Sequence, residues 1–211
     1  MKIALFGASG MIGSRILSEA LARGHAVTVV ARDPSKLSLD HPKAHALKGD
    51  VLDAASITAA VIGQDAVISA YGPGHHGDPK DVVKAARALV AGLKPAGVKR
   101  LLVVGGAGGL EVKPGLELAD TPEFPAAWKG IADAHRDALP VYRNADLDWT
   151  YFSPAALIQP GERTGKYRIG SDRLVADDKG ESRISAEDYA AAMLEEMERP
   201  RHLRARMTAA Y

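Results

Sequence analysis

The sequence contains no cysteine, and this absence excludes several kinds of chemistry. A chain without thiols forms no disulfide, offers no thiolate nucleophile and binds no metal through a thiolate. The absence is compatible with a reducing compartment. Catalysis or binding by this chain must therefore depend on other side chains, on the backbone or on a cofactor.

The chain also has neither an excess of one charge sign nor a long apolar run. The 27 Lys and Arg residues balance 26 Asp and Glu residues to a net charge of +1, so nothing indicates a nucleic-acid or membrane surface. No apolar run approaches the roughly 20 residues that a membrane span needs. Because the first predicted strand begins within the first three residues, we expect no signal peptide and a cytoplasmic location.

The chain of 211 residues, 46% of them apolar, has the size and composition of one soluble domain. Apolar strand patterns and helical patterns alternate along most of it. Strands are predicted at 3–6, 26–31, 44–47, 66–70, 100–104 and 149–152. Helices are predicted at 11–23, 54–62, 81–93 and 125–144, the last with a kink or break at Pro140. Strands that are apolar on both faces, separated by amphipathic helices, predict a doubly wound parallel α/β sheet of the Rossmann type.

The segment 154–211 is divided by prolines and glycines into short pieces. Its predicted elements are short antiparallel strands at 163–169 and 173–175 and a helix at 185–198 with Ser185 as N-cap. We expect this segment to form a small C-terminal substrate lobe or lid on a core of residues 1–153. The whole chain, 1–211, is then a single dinucleotide-binding domain.

A glycine-rich turn, GASGMIG at residues 7–13, joins the first predicted strand to the first predicted helix. Such a turn lets the backbone approach a pyrophosphate closely, and it directs the free N–H groups of the helix start at that anion. Its position between a strand and a helix makes this spacing indicative of a dinucleotide site. The candidate phosphate-binding residues are Gly7, Ser9, Gly10, Met11 and Ile12.

The residues after the second predicted strand bear on the choice between NADP and NAD. An acidic residue there holds the 2′-hydroxyl of NAD, whereas an arginine accommodates the 2′-phosphate of NADP. Arg32 takes the first position past the strand, and Lys36 is near enough to add charge. The side chain of Asp33 should point the other way. We predict NADP as the cofactor, with NAD less favoured; the alternative for Arg32 is a solvated strand end.

Residues that follow the third and fourth predicted strands complete the expected cofactor site. Asp50 can accept a hydrogen bond from the adenine amino group, with Val51 beside the base. The alternative for Asp50 is a helix N-cap, although Asp53 suits that role better. Ala70 and the small residues around it let a cofactor pass over the sheet edge, and Tyr71 could flank the ribose or the nicotinamide.

Five segments of the chain carry a family resemblance. They are GASGMIG at 7–13, ARDP at 31–34, GDV at 49–51, LDWT at 147–150 before Ser153 and Pro154, and ISAEDY at 184–189. These segments are spread over nearly the whole chain, and in them it resembles atypical short-chain dehydrogenase/reductases of the NAD(P)H-binding, NmrA-like group. That group includes NADH-flavin reductase and biliverdin/flavin reductase-like proteins. The resemblance implies a Rossmann fold that binds a nicotinamide cofactor.

The acid–base residues typical of short-chain dehydrogenases are missing. Those enzymes use a serine after strand five and a Tyr-x-x-x-Lys pair on the next helix, but no Ser, Thr or Tyr occurs between residues 101 and 120 here. Counted back from Leu147, the tyrosine position falls near Ile131 and the lysine position near His135. Carbonyl–alcohol interconversion needs a positioned acid, whereas hydride transfer to an electron-poor ring depends on one much less. The loss therefore favours a small conjugated acceptor such as a flavin or a quinone.

His135 is the one titratable candidate at the former lysine position. An ordinary imidazole pKa of about 6.5 would make it a proton donor at neutral pH; the alternative is a helix histidine bound to a loop or a carboxylate. Gly105 and Gly106 are expected to leave room for a flat ring beside the nicotinamide, or else to form a turn that needs positive φ. Ser153 and Pro154 are expected to line the nicotinamide pocket.

We therefore expect an NADPH-dependent oxidoreductase, with a non-catalytic redox sensor of the NmrA-like type as the alternative. A sugar-nucleotide epimerase or dehydratase is disfavoured, because those enzymes rely on the missing tyrosine–lysine pair. No metal site is expected, since His75 and His76 stand in a glycine loop without a third ligand. The candidate acceptor wall, which could equally be ordinary packing, consists of Phe124, Trp128, Leu157 and Tyr167.

Overall fold

The computed structural model describes residues 1–74 and 77–211, so the loop interpretation of His75 and His76 lies outside the described residues. The strands of the described part are β1 (Lys2–Phe6), β2 (Ala26–Ala31), β3 (Ala44–Lys48), β4 (Ala66–Ser69), β5 (Arg100–Val104), β6 (Glu111–Lys113), β7 (Leu116–Glu117), β8 (Asp148–Ser153), β9 (Leu157–Gln159), β10 (Arg168–Gly170), β11 (Arg183–Ser185) and β12 (Ala205–Ala210). The α-helices are α1 (Met11–Ala22), α2 (Ala54–Val61), α3 (Asp81–Ala96), α4 (Ala126–Arg143) and α5 (Ala186–Glu198).

A single large sheet has the strand order β10-β12-β8-β5-β4-β1-β2-β3. Neighbouring strands in it are parallel except for β10, which is antiparallel to β12. The order reverses between β1 and β4, so the connections after these strands diverge and leave a crevice at the carboxyl edge of the sheet. The predicted doubly wound α/β fold is confirmed.

Helices cover both faces of this sheet. Along β1, Ala4 and Phe6 pack in one cluster with α2, α3 and α4, whereas Ile3 and Leu5 pack on the opposite face with α1 and α5. Alternate residues of an extended strand point to opposite faces. Burial on both faces therefore explains why the central strands read as continuous apolar runs.

Helix α4 continues through Pro140, where the sequence predicted a kink or break, so no break occurs. A proline in a helix removes one backbone hydrogen bond. Ala138, Leu139 and Tyr142 are buried in the core around it. This packing outweighs the missing hydrogen bond and holds the helix that carries His135.

Much of the segment 154–211 belongs to the central sheet and its helical layer. β12 lies parallel to β8, β10 pairs with β12, and α5 packs on α1. The expected small lobe is reduced to the loops around the short parallel pair β9 and β11. The predicted N-cap is confirmed, since Ser185 Oγ accepts a hydrogen bond from the N–H of Asp188 at 2.9 Å.

Two details of the predicted strands in this segment are wrong. The strand expected at 163–169 is limited to β10, which begins only at Arg168. The strand expected at 173–175 is replaced by an isolated bridge between Arg173 and Glu111. Over the described residues, no helix has the length and apolarity that crossing a membrane requires.

Candidate functional site

A cleft opens at the carboxyl edge of the sheet, where the strand order reverses between β1 and β4. Its volume is about 470 Å³, and it is lined by the turn after β1 and by the ends of β2, β3, β4 and β5. Ligands of doubly wound sheets bind at this place. We refer to it as the cofactor cleft.

The glycine turn forms the floor of the cofactor cleft and leaves no space for larger residues. Gly7 has φ +81°, and a Cβ there would collide with the carbonyl oxygen of Ala70. A Cβ on Gly13 would collide with the carbonyl oxygen of Gly7. The turn is closed by the Gly10 N–H, which donates to the Gly7 carbonyl at 3.1 Å. The turn therefore requires glycine at its first and last positions, as a backbone that contacts a phosphate does.

The start of α1 faces the same cleft with unpaired backbone donors. Gly10 is the N-cap and supplies no side-chain cap, and the first helical hydrogen bond runs from the Ser14 N–H to the Gly10 carbonyl at 2.9 Å. The N–H groups of Met11 and Ile12 precede that bond, and both residues line the cleft. These donors and the positive end of the helix dipole suit a bound anion.

Arg32 lines the cleft at the end of β2 with an exposed side chain. Within the described residues its guanidinium forms no ion pair. Asp33 is held instead by Ser35 Oγ at 2.6 Å and by Lys36 Nζ at 3.4 Å, and these contacts lower the pKa of its carboxyl group. The ion pair with Asp33 thus neutralises the positive charge that Lys36 was expected to add to the site. Among the described residues that line the cleft, Arg32 supplies the positive side chain.

Asp50 and Val51 lie where the chain leaves β3, and both line the cleft. Asp50 Oδ1 accepts the Leu52 N–H at 3.0 Å. Its other carboxylate oxygen accepts no hydrogen bond within the described residues. The N-cap of α2 is Asp53, whose carboxylate accepts the Ala55 N–H at 2.9 Å, as expected. Asp50 is therefore free to accept a hydrogen bond from a ligand.

His135, on α4, is joined to Tyr151 of β8 by two hydrogen bonds. The Tyr151 hydroxyl lies 3.1 Å from the His135 carbonyl oxygen and 2.9 Å from His135 Nδ1. When the hydroxyl donates to the carbonyl oxygen, Nδ1–H donates to the hydroxyl and Nε2 is an acceptor; when it donates to Nδ1, the ring proton is on Nε2. In both tautomers Nε2 has no hydrogen-bond partner within the described residues.

The His135 imidazole is neutral at physiological pH. Burial lowers the pKa of His135 to about 4, so the imidazolium is scarce at pH 7. This corrects the expectation that His135 donates a proton from its charged form. Its side-chain partner is a tyrosine, which sequence reasoning missed because nothing in the strand pattern indicates where a hydroxyl in β8 reaches.

Gly105 and Gly106 are required by this histidine–tyrosine pair. A Cβ on Gly105 would collide with the Tyr151 ring, and a Cβ on Gly106 would lie 2.9 Å from His135 Cβ. Neither glycine has positive φ, and Gly106 is extended with φ −114° and ψ 148°. The alternative of a turn that needs positive φ is therefore wrong, and close side-chain packing explains both residues.

A second cavity adjoins the cofactor cleft on the other side of His135, which lines both. Its volume is about 290 Å³. It is lined by Gly106, Ala107, Gly108, Leu118, Thr121, Glu123, Phe124, Pro125, Trp128, Ile131, Ala132, His135, Pro154, Ala155, Ala156 and Ile158. We call it the apolar cavity. A ligand there would lie next to one end of a ligand in the cleft.

The structure brings together most of the residues selected from sequence. The cofactor cleft is lined by Gly7, Ser9, Gly10, Met11, Ile12, Arg32, Asp50, Val51, Ala70, Tyr71, Gly105 and His135. Gly106 and Pro154 line the apolar cavity instead. Ser153 lines neither: it is fully buried at the end of β8, and its Oγ has no hydrogen-bond partner within the described residues.

Two of the four residues of the candidate acceptor wall line a cavity. Phe124 and Trp128 line the apolar cavity. Leu157 and Tyr167 do not, because Tyr167 packs with the cluster on the α1 and α5 face, its hydroxyl 3.4 Å from Glu195. Tyr71 lines the cofactor cleft, and burial raises the pKa of its phenol. The described residues contain no cluster of side chains able to hold a metal ion.

Comparison with known proteins agrees with this geometry. Residues 7–200 match the model of the family described as NAD(P)H-binding. A candidate exported protein from Burkholderia pseudomallei has 55% identity and a TM-score of 0.92, each chain being covered in full. A candidate epimerase from Bacteroides thetaiotaomicron has 41% identity and a TM-score of 0.91, covering 100% of this chain and 96% of its own. A candidate NADH-flavin reductase from Streptococcus pneumoniae has 33% identity and a TM-score of 0.86, and the match covers 100% of this chain and 99% of that protein.

Proposed function

Because this chain belongs to the NAD(P)H-binding family, we propose that it is an NADPH-dependent oxidoreductase whose hydride acceptor is a flavin, a quinone or a similar conjugated compound. The observation that carries the proposal is the shared wall between the two cavities. His135 lines both the cofactor cleft and the apolar cavity, so a donor in one lies beside an acceptor in the other. The similarity to a candidate NADH-flavin reductase supports the same reaction class.

The cofactor-binding roles follow from the lining of the cleft. Gly7, Ser9, Gly10, Met11 and Ile12 contact the diphosphate, Asp50 and Val51 contact the adenine, and Ala70, Tyr71 and Gly105 border the end nearest His135. Arg32 selects the 2′-phosphate of NADP over the hydroxyl of NAD, since a guanidinium without a carboxylate partner can bind two phosphate oxygens. Close approach of the diphosphate depends on Gly7 and Gly13, because a side chain at either position would collide with the backbone.

The chemistry assigned to the site needs no strong acid from the protein. A nicotinamide cofactor held by the cleft would supply the hydride, and water would supply the proton that the reduced acceptor takes up. Neutral His135 contributes an imidazole that lines both cavities and can orient a polar group of the acceptor by a hydrogen bond.

The absence of the serine, tyrosine and lysine set also leaves the alternative of a redox sensor that binds NADP(H) without turnover. An epimerase reaction is disfavoured, although a candidate epimerase is among the similar structures, because Ile131 and His135 occupy the tyrosine and lysine positions on which such enzymes rely. A cytoplasmic location and the absence of a nucleic-acid partner stay predictions.

Turnover separates the enzyme from the sensor. Purified protein is mixed with NADPH and a panel of riboflavin, FMN, biliverdin and simple quinones, and NADPH absorbance is followed. We expect oxidation with at least one acceptor, and a slower rate with NADH. Tight binding of NADPH without turnover of any acceptor would contradict the proposal and favour the sensor.

The substitution His135→Ala tests the role of the wall that the two cavities share. Unchanged kcat and KM across pH 6–8 would exclude His135 from the reaction.

A further inference from the structure

The apolar cavity has little charge on its walls. Among the described residues that line it, Glu123 and His135 are the only titratable ones, and no lysine or arginine is present. Glu123 has an exposed side chain, and His135 is neutral at pH 7 because burial lowers its pKa to about 4. The one formal charge at this cavity is therefore negative.

The cations of α4 nearest to the cavity are bound elsewhere. Lys129 Nζ donates to the carbonyl of Ala119 at 2.7 Å and to the carboxylate of Asp120 at 2.8 Å. Arg136 binds Asp120 at 2.8 Å and Glu117 at 2.6 Å. Each of these cations would have to leave carboxylate partners to reach an anionic ligand in the cavity.

Aromatic and proline side chains form the mouth of the cavity. Trp128 is 54% exposed and lines it together with Phe124 and Pro125. A large aromatic side chain left this open offers a face on which a flat ring can stack. On the inner side, the neutral imidazole of His135 lines the cavity and can hydrogen-bond a ring oxygen or, after reduction, a ring hydroxyl.

We propose that the acceptor reduced in this cavity is an uncharged, compact quinone of one or two rings, and that the cavity discriminates against acceptors with an anionic group on the ring. This inference rests on the proposed oxidoreductase function. Moving an unpaired anion from water to an apolar site beside Glu123 is unfavourable, because no cation there replaces the lost hydration. The volume of about 290 Å³ is at the lower limit of ordinary ligand sites, and so it suits a compound of one or two rings better than a linear tetrapyrrole.

Binding tests the proposal without relying on turnover. In the presence of NADP⁺, 1,4-naphthoquinone and 1,4-naphthoquinone-2-sulfonate are titrated while tryptophan fluorescence is recorded. The variant Trp128→Phe shows which part of the fluorescence change comes from the cavity, since the other tryptophan, Trp149, is buried in the core. The chain contains no cysteine, so thiol adducts of the quinone do not interfere. We expect the uncharged quinone to bind at least about tenfold more tightly.

Two variants that each remove one carboxylate, one at the cavity and one away from it, give a matched comparison of quinone affinities. Glu123→Gln should strengthen binding of the sulfonate by about two- to fivefold, as expected for one partly exposed charge, and leave the uncharged quinone unchanged. Asp178→Asn, an exposed carboxylate that lines neither cavity, should change neither affinity. Equal or tighter binding of the sulfonate by the wild type, or failure of both quinones to bind, would overturn the proposal.

The same pair of quinones separates this inference from the proposed function. With NADPH in place of NADP⁺, the uncharged quinone should be reduced faster at equal concentration. Selective binding without NADPH oxidation would refute the oxidoreductase function but show that the cavity selects by charge. Oxidation of NADPH with equal efficiency for both quinones would support the function and refute the charge selection.

Discussion

The neutral state of His135 should make the protein sensitive to mild acid. The folded-state pKa of about 4 lies below the ordinary value of about 6.5 for an unfolded chain. The unfolded chain therefore binds the proton more readily, so the stabilisation is fully present above pH 6.5 and is lost as the pH falls toward 4. Linkage gives a loss of about 2 kcal/mol between pH 7 and pH 5 from this residue alone.

The substitution His135→Gln removes the titrating group and keeps a polar side chain opposite Tyr151. Urea unfolding of both proteins at pH 7 and pH 5 gives four free energies of unfolding. The wild type should lose about 2 kcal/mol more than the variant between these pH values, because losses from other residues are common to both and cancel.

His45→Gln, on the exposed edge strand β3, is the matched control and should reproduce the wild-type difference. If the wild type and His135→Gln lost the same stability on acidification, the neutral buried imidazole would be refuted.

Four further substitutions test separate parts of the structure. Arg32→Asp should lower the ratio of NADP to NAD affinity by about tenfold or more, measured by titration with each cofactor; an unchanged ratio would refute the role of Arg32. Gly105→Ala should lower the free energy of unfolding by about 1–3 kcal/mol in urea, because its methyl group collides with a tyrosine ring. Gly130→Ala, with room on exposed α4, should instead be neutral or stabilise by about 0.5–1 kcal/mol. Glu196→Gln should cost about 3 kcal/mol in urea, since Glu196 and Arg100 are paired at 3.2 Å with side chains only 3% and 11% exposed. A loss below about 1 kcal/mol would show that the pair contributes little.

The elements that were predicted well are those whose signals are local. The bounds of β2 and β5 match the prediction because each is a short apolar run between breakers. The glycine turn was recognisable because collisions with neighbouring backbone restrict Gly7 and Gly13 to one residue type. The positive φ of Gly7 and the contact of Gly13 with the Gly7 carbonyl are local constraints that can be read along the chain, whereas the contact of Gly7 with the Ala70 carbonyl is not.

What was missed depends on contacts between distant residues. β12 reads ARMTAA, an alanine-rich segment with weak strand character, and becomes a strand because β8 lies beside it. The position of His135 follows from the motif spacing, but its protonation state follows from burial. The need for Gly105 arises from a ring 46 positions later in the sequence, that of Tyr151, and no local pattern indicates that contact.

The late position of β12 also affects how a nascent chain folds. β8 pairs with β5 on one side and with β12 on the other, and Thr150 of β8 lies opposite Ala205 of β12. During synthesis the ribosome releases β8 well before its second neighbour, so one row of its N–H and C=O groups stays open in the meantime. An open strand edge can pair with another chain. By covering this edge of β8, β12 thus protects the folding protein from association as well as completing its core.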